Sequence, residues 1–353
     1  MKLINNVVKK IIAIGKKESK KTAFLIGNTI KIEDGKFYLT PVRNYTQVVL
    51  SGVIVYSEEI AKKIAKEVDG LVDYIFVDAE KKISDNHSIT GEPGNIERAV
   101  KEVINKSVFI SYKSNDLTVD AADAFISEYF SKDIRHIGGK KIAIIGVGNM
   151  GSKLGQKLVE RGANVSLYRR NRDKLNLIVK QINTTKSKYT VAQASSALSV
   201  NEACKDADIL IGVTDGIPVI DDSIVEKSSK NILLIDIGKG SISADAIKTA
   251  HSRNIKVFRL SIESALEGMV TSLISTHNIL KKRTGRGEYH KINVVSGGLL
   301  ARSDEIVVDD YIKPKLIYGV GNGYGDFMRN PNKQMKKKIN SLKKIILDEN
   351  INI

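Results

Sequence analysis

The chain has 353 residues, a hydrophobic fraction of 42% and a formal net charge of +16. That is enough chain for two domains and a smaller third segment, with a sizeable buried core. No run is long and apolar enough to span a bilayer, the N-terminus lacks the pattern of a signal peptide, and the single cysteine, Cys204, excludes both an intramolecular disulfide framework and a cysteine-rich zinc site.

In chain order, Leu3, Ile4, Val7, Val8, Ile11 and Ile12 fall on one face of a basic N-terminal helix. Such a stripe lies on a membrane surface or, the commoner fate, packs on its own domain. Residues 22–55 read as β-rich. Ile30–Ile32 and Phe37–Leu39 flank Glu33-Asp34-Gly35-Lys36, which reads as a hairpin with a glycine turn, and 48–56 is an apolar run of strand length. A helix opens at Ser57 and runs to about Val68. Tyr74–Val77 is a buried strand, Asn95–Asn105 a helix, Val108–Ile110 a strand and Asp116–Phe130 a helix. The alternation marks an α/β layer, so residues 1–137 are expected to form an N-terminal α/β domain ending at Gly138-Gly139.

The strongest signal follows at once. An apolar strand, Lys141–Ile145, runs into Gly146-x-Gly148-x-x-Gly151 and then into a helix carrying Leu154, Leu158 and Val159. Gly146 permits the tight turn, Gly148 lets backbone approach a pyrophosphate, and Gly151 allows close helix–strand packing. The first turn, with Asn149 and Met150, aims free N–H groups and the positive end of the helix dipole at phosphates. A glycine turn without a ligand is the bland alternative; the strand before and the helix after favour a dinucleotide site. The second strand, Val165–Tyr168, ends at Arg169 and Arg170, with Arg172 close behind. An NAD site would carry an acidic residue there for the ribose 2′-hydroxyl. Guanidinium groups suit a 2′-phosphate, which favours NADP(H) over NAD(H). Strands at 208–214 and 232–238, a helix at 243–251 and a strand at 255–258 complete a doubly wound Rossmann domain over 138–262. Ligands bind beyond the carboxyl ends of such strands, which places Thr214, Asp215, Gly216 and Gly238 near the nicotinamide half.

An α/β domain, then this unit, with Arg169-Arg170-Asn171 after its second strand and Asp-Ile-Leu-Ile-Gly-Val-Thr and Leu-Ile-Asp-Ile-Gly within Ala207–Gly238, resembles the shikimate/quinate dehydrogenases. The likeness extends more distantly to the methylene-tetrahydrofolate and amino-acid dehydrogenases, and covers about residues 138–262. It implies a two-domain NADP-dependent oxidoreductase that moves a hydride to or from a small anionic carbonyl, imine or hydroxyl metabolite held between domains. The shikimate family's lysine and aspartate motifs are not intact here. Their nearest counterparts are Ala79-Glu80-Lys81-Lys82 and Asn115-Asp116-Leu117-Thr118-Val119-Asp120. A lysine–carboxylate pair facing the nicotinamide would serve as proton donor and orienter. The candidates are Lys113 and Asp120 first, then Asp116 and Lys81, each of which also suits an ordinary surface or helix-capping role. The alternative functions are a nonredox enzyme that keeps NAD(P) bound, and an NAD(P)-sensing protein.

Residues 263–353 read as a helical and β extension packing back on the first domain. A helix with Leu266, Met269, Val270, Leu273 and Ile274 runs through Lys282, Arg283–His290 is a basic loop, strands follow near 294–298 and 305–308, and a basic helix occupies Lys333–Leu347. The glycine-rich run Leu316–Asp326 is a loop, or lines a pocket. His87, His136, His251, His277 and His290 lack metal-ligand spacing, so no metal is expected. Lysines are spread along the chain without interleaved aromatics. The charge therefore suits anionic ligands rather than a specific nucleic-acid partner. A lone thiol fits a cytoplasmic location, and a homodimer stays open.

Overall fold

The structure, a computed structural model, describes residues 2–29, 37–84 and 93–351; the expected glycine turn at Glu33–Lys36 and His87 lie outside the described residues. Residues 1–269 pack as one compact unit and 270–353 as another.

Among the described residues the first unit holds two large sheets and one two-stranded pair. The first is built from β1 (Lys21–Asn28), β2 (Phe37–Asn44), β3 (Val48–Val55), β4 (Tyr74–Asp78) and, after the short pair β5 (Ile83–Ser84) and β6 (Pro93–Gly94), β7 (Val108–Tyr112). Its order is β2-β3-β1-β4-β7, parallel throughout except for β2, which runs antiparallel along the edge. β1, β3 and β4 are buried along almost their whole length, as expected for parallel strands covered on both faces. Helix α1 (Lys2–Glu18) supplies part of that cover. Ile4, Val8 and Ile11 enter the core with Phe24, Ile26, Val49 and Val53, so the apolar stripe packs on its own sheet. Helix α2 (Glu58–Val68) starts at the Ser57 cap. Helix α3 (Ile96–Lys101) is shorter than the periodicity predicts. The cause is Asp69, whose carboxylate accepts from the N–H groups of Asn105, Lys106 and Ser107 and holds that stretch as a loop.

Helix α4 (Ser114–Tyr129) leads to the second sheet: β8 (Lys141–Ile145), β9 (Asn164–Tyr168), β10 (Ala194–Ser196), β11 (Ile209–Gly212), β12 (Leu233–Asp236) and β13 (Lys256–Arg259). All pairings are parallel and the order is β10-β9-β8-β11-β12-β13. Counted within the sheet this is 3-2-1-4-5-6, the doubly wound arrangement that reverses direction at β8. Helices α5 (Asn149–Glu160), α6 (Arg172–Thr185), α7 (Val200–Cys204), α8 (Asp222–Lys227) and α9 (Ala244–Ser252) connect the strands. Val119, Ala122 and Ile126 of α4 share a core with Ile144, Leu154 and Leu158, so α4 also belongs to this layer. Helix α10 (Glu263–Asn278) then returns to the first sheet. Glu263 accepts from Arg43 and from the Tyr45 hydroxyl, and Glu267 from the Thr46 N–H.

The second unit contains β14 (Gly285–Tyr289), β15 (Ile292–Ser296), β16 (Ile306–Val308), β17 (Ile317–Val320) and α11 (Lys333–Ile351). The strands pair in chain order, and Val294, Ile306, Val308 and Val320 pack on Met335, Leu342 and Ile346. The expected basic loop Arg283–His290 is mostly strand β14. It pairs with β15 across the two-residue turn His290-Lys291, where both residues have positive φ (47° and 62°). That is the geometry of a type I′ hairpin, which His-Lys does not advertise as Asn-Gly would. The glycine-rich run is β17 followed by a loop. In that loop the Asn322 side-chain oxygen accepts from the N–H groups of Tyr324 and Asp326.

Cys204 ends α7 inside the core, and burial, with a smaller contribution from Asp221, pushes its thiol up to about 12. The thiolate is the reactive form. The native protein is therefore expected to ignore a disulfide thiol reagent at pH 8 and to titrate one thiol only after unfolding in urea.

Candidate active site

Gly146 leaves β8 with φ +95°, and a Cβ there would lie 2.8 Å from the Val213 backbone, so only glycine fits between the two strand ends. Its N–H and that of Val147 both donate to the Tyr168 carbonyl, at 3.0 and 3.3 Å. Gly148 caps α5, and a Cβ placed on it meets nothing within 4 Å. That open side is where a phosphate can meet backbone N–H groups of the first turn, around the exposed Asn149 and half-buried Met150. Gly151 is buried, with its Cβ direction 3.2 Å from the Gly146 carbonyl oxygen, and lets α5 press on the strand. The residues therefore fit a dinucleotide pyrophosphate.

The three arginines take different positions. Arg169 is half buried and its Nη1 donates to the Val147 carbonyl at 3.1 Å, across the back of the glycine turn. Arg170 is exposed and its side chain has no partner among the described residues. Arg172 opens α6 and donates to the Leu198 carbonyl at 3.1 Å, on the β10 side.

The far wall is tightly bonded. The Thr214 hydroxyl donates to the Ile217 carbonyl at 2.6 Å and lies 2.9 Å from the Ser241 hydroxyl, and a Cβ on Gly238 would fall 1.8 Å from the Thr214 carbonyl oxygen. Gly216 has φ +75° at the turn, and Asp215 is exposed beside it. Buried Asp236, at the end of β12, accepts from the N–H groups of Gly240 and Ser241 at 2.7 and 3.1 Å and fixes that loop. Sequence reasoning missed Asp236 and Ser241, although a strand-end aspartate followed by Gly-Lys-Gly-Ser was a readable signal.

Of the expected catalytic residues the structure pairs Lys113 with Asp116, and it commits Asp116 and Asp120 to lysines of α5. Lys113 is half exposed and pairs with Asp116 at 3.2 Å. Asp116 also bonds Lys153 of α5, Asp120 bonds Lys157 at 3.0 Å, and Asp123 holds Arg161 through two bonds at 2.6 and 2.8 Å. Burial opposes ionisation of Asp116, but Lys153 and then Lys113 outweigh it and hold the carboxyl below its ordinary range. The reason is helical spacing. Positions 116, 120 and 123 form one face of α4, which meets 153, 157 and 161 on α5. Lys113, Asp116 and Asp120 thus join a helix–helix ladder, and Lys81 points to solvent.

A different constellation occupies the carboxyl ends of β1, β4 and β7. A cavity of ≈ 110 Å³ is lined there by Asn28, Arg43, Asp78, Tyr112, Ser114 and Thr118, with aliphatic walls that include Leu25, Leu50 and Leu117. The Asp78 side chain is fully buried. Its carboxylate accepts from the Ser114 hydroxyl (2.7 Å), the Ser114 N–H (3.2 Å) and the Glu80 N–H (3.0 Å), and pairs with Lys82 at 3.5 Å. Lys82 also donates to the Ser114 hydroxyl. Burial, then the Asp78 and Tyr38 charges, keeps the Tyr112 phenol well above its ordinary value, so it stays protonated.

The ladder relates this cavity to the glycine turn. Pairs 116–153, 120–157 and 123–161 ascend together, so α4 and α5 run parallel. Their first residues, Ser114 and Asn149, then lie within about one helical turn (~5 Å) of each other along the axes. Each helix directly follows a strand, so the carboxyl edges of both sheets open on the same side.

Residues 141–262 match the family model described as the NAD binding domain of 6-phosphogluconate dehydrogenase. No curated protein matches the chain. Among solved structures, a dipicolinate synthase from Bacillus halodurans is 15% identical over 72% of this chain and 98% of its own, with a TM-score of 0.36. Hetero-hexameric glutamate dehydrogenase from Thermus thermophilus is 10% identical over 74% and 69%, with a TM-score of 0.43. A shikimate dehydrogenase solved with NADP+ is 15% identical over 72% and 96%, with a TM-score of 0.39. The chain thus carries a Rossmann NAD(P)-binding domain of the dehydrogenase type.

Two substitutions separate structure from ligand binding. Gly148→Ala is expected to leave urea stability within about 0.5 kcal/mol of the parent, because the added methyl meets open space, while calorimetric NADPH affinity falls at least about tenfold. Asp123→Ala strips the buried end of the ladder and is expected to lower stability by about 2 kcal/mol in urea titration. Breaking a fully buried ion pair would cost about 3–5 kcal/mol, but the solvent-exposed Arg161 reduces the loss.

Proposed function

We propose that the protein is an NAD(P)-dependent dehydrogenase or reductase that prefers NADP(H) and holds a small-molecule substrate in the Asp78–Ser114 cavity. The observation that supports this reading is the parallel α4–α5 ladder, because it turns the glycine turn and the Asp78–Ser114 cavity to one side of the unit. In this reading residues 1–137 serve the substrate and 138–262 the nucleotide. The pyrophosphate sits on Gly146, Gly148, Asn149, Met150 and Gly151, and the 2′-phosphate meets Arg170 and Arg169, with Arg172 at the margin. Thr214, Asp215, Gly216 and Gly238 border the nicotinamide. The single buried thiol fits a cytoplasmic setting.

A bound nicotinamide ring supplies or accepts the hydride. The chain supplies orientation and a proton. The Lys82 ammonium has three N–H donors; Asp78 and Ser114 take two, and the third has no partner among the described residues. That third N–H is the proton donor to the heteroatom that gains charge when hydride arrives. Asp78, itself fixed by the Ser114 and Glu80 N–H groups, keeps the ammonium in place. Lys82 and Asp78 therefore replace Lys113, Asp120, Asp116 and Lys81 as the proposed acid–base machinery.

Lys82→Ala is expected to reduce NADPH oxidation by about 10²-fold or more across small carbonyl and imine compounds, read at the reduced-nicotinamide absorbance, with NADPH affinity changed less than about twofold. Lys113→Ala and Asp120→Ala should keep most of the activity; inactivation by either, with Lys82→Ala active, reverses the assignment. Arg170→Ala should weaken NADPH at least about tenfold and leave NADH unaffected, since a charge-assisted bond to the extra phosphate is lost. Equal affinity of the parent for the two nucleotides removes the NADP preference.

A further inference from the structure

The cavity beside Asp78 contains a polar group that the fold leaves unused. Asn28 ends β1 and is 5% exposed. Its Nδ2 donates to the Glu80 carbonyl at 2.8 Å, which fixes the amide orientation, because the opposite flip would set two oxygens against each other. The Oδ1 atom, in a residue that lines the cavity, has no hydrogen-bond partner among the described residues. The Glu80 carboxylate has a buried oxygen in the same condition. Both of these buried, unused atoms are acceptors.

The cations nearby are already matched. Arg43 is paired with Glu263 and donates to the Pro41 carbonyl, and Lys82 is shared by Asp78 and Ser114. Of the charged lining residues, Arg43 is neutralised by Glu263, while Asp78, backed by Glu80 and Lys82 outside the lining, leaves an excess of negative charge at the polar end. A carboxylate there would find no unpaired cation among the described lining residues and would face Asp78. A carbonyl oxygen would have no hydrogen to offer Asn28. An ammonium or iminium nitrogen meets both conditions, carrying positive charge and N–H donors. Apart from the hydroxyls of Thr40, Tyr112, Ser114 and Thr118 the rest of the lining is apolar, and ≈ 110 Å³ is somewhat less than the ~150 Å³ of a cavity known to admit benzene.

From these observations we infer that the cavity takes a small aliphatic primary amine, or the iminium ion it is formed from, with its nitrogen on Asn28 Oδ1. The inference rests on the dehydrogenase reading above and replaces the anionic substrate expected from the overall charge. In the reducing direction, the iminium carbon gains a C–H bond with the electron pair of the transferred hydride, its C=N π bond moves onto nitrogen, and NADPH becomes NADP+. The resulting neutral amine takes a proton from the Lys82 ammonium, which regains one from solvent. In sum, iminium, NADPH and one proton give ammonium and NADP+.

The test uses three probes of one skeleton, butylamine, 1-butanol and butanoate, titrated calorimetrically into the full chain saturated with NADP+. Butylamine is expected to bind at least about tenfold more tightly than the other two. Asn28→Leu should abolish that preference and Asn28→Asp, which keeps an acceptor, should retain it. Butanol or butanoate binding as tightly as the amine, no amine binding, or a preference that survives in Asn28→Leu overturns the inference. NADP+ affinity measured on the same samples reports the folding of each variant. It also separates the two readings, because a parent chain that fails to bind NADP+ removes the dehydrogenase assignment itself.

Discussion

Parallel alignment of α4 with α5 is the constraint on which the site depends. Each helix begins where a strand of its own sheet ends, so the helices carry the positions of two carboxyl edges with them. Asp116, Asp120 and Asp123 face Lys153, Lys157 and Arg161, and each step of one helix is answered by a step of the other. Beneath the charges, Val119, Ala122 and Ile126 press on Leu154 and Leu158. The apolar contact supplies most of the attraction, since half-exposed ion pairs are individually weak. The charges contribute register. A slip of one turn would set Asp120 opposite Lys153 and leave Asp123, the most buried member, away from Arg161.

What could be read in the sequence follows from how far apart the cooperating residues lie. The glycine turn, the strand before it and the arginines after β9 occupy some thirty consecutive residues. Their meaning is local, and the turn does sit between β8 and α5 as the motif requires. Asn28, Asp78, Lys82 and Ser114 are drawn from three strand ends and join only because β1, β4 and β7 lie side by side. No spacing rule links 28 to 78. Asp116 and Asp120 lie on α4, with Lys113 at its cap, on the face that meets α5. Positions 116 and 120 share a face with 123, and 123 is the one committed to Arg161. The His290-Lys291 hairpin was hidden for a simpler reason: two non-glycine residues adopt positive φ there.

The two sides of the site are organised by one device. At the ends of β4 and β12 a buried aspartate, Asp78 or Asp236, accepts from backbone N–H groups of the loop that follows. A carboxylate with several N–H partners is well satisfied out of water, and in return it pins the loop. At Asp236 the pinned loop carries Gly238 against Thr214. At Asp78 it carries Lys82 against Ser114. Loops fixed in this way hold their side chains without help from a ligand.

The Arg169 side chain is fixed before any ligand arrives. Its guanidinium is already tethered to the Val147 carbonyl on the glycine turn. A long, flexible side chain normally surrenders much of its rotamer entropy when it grips a ligand. Here that loss was incurred when the chain folded, so any ligand reaching Arg169 would meet an arginine that is nearly still. Untethered Arg170, by contrast, would have to be immobilised anew by any ligand it met.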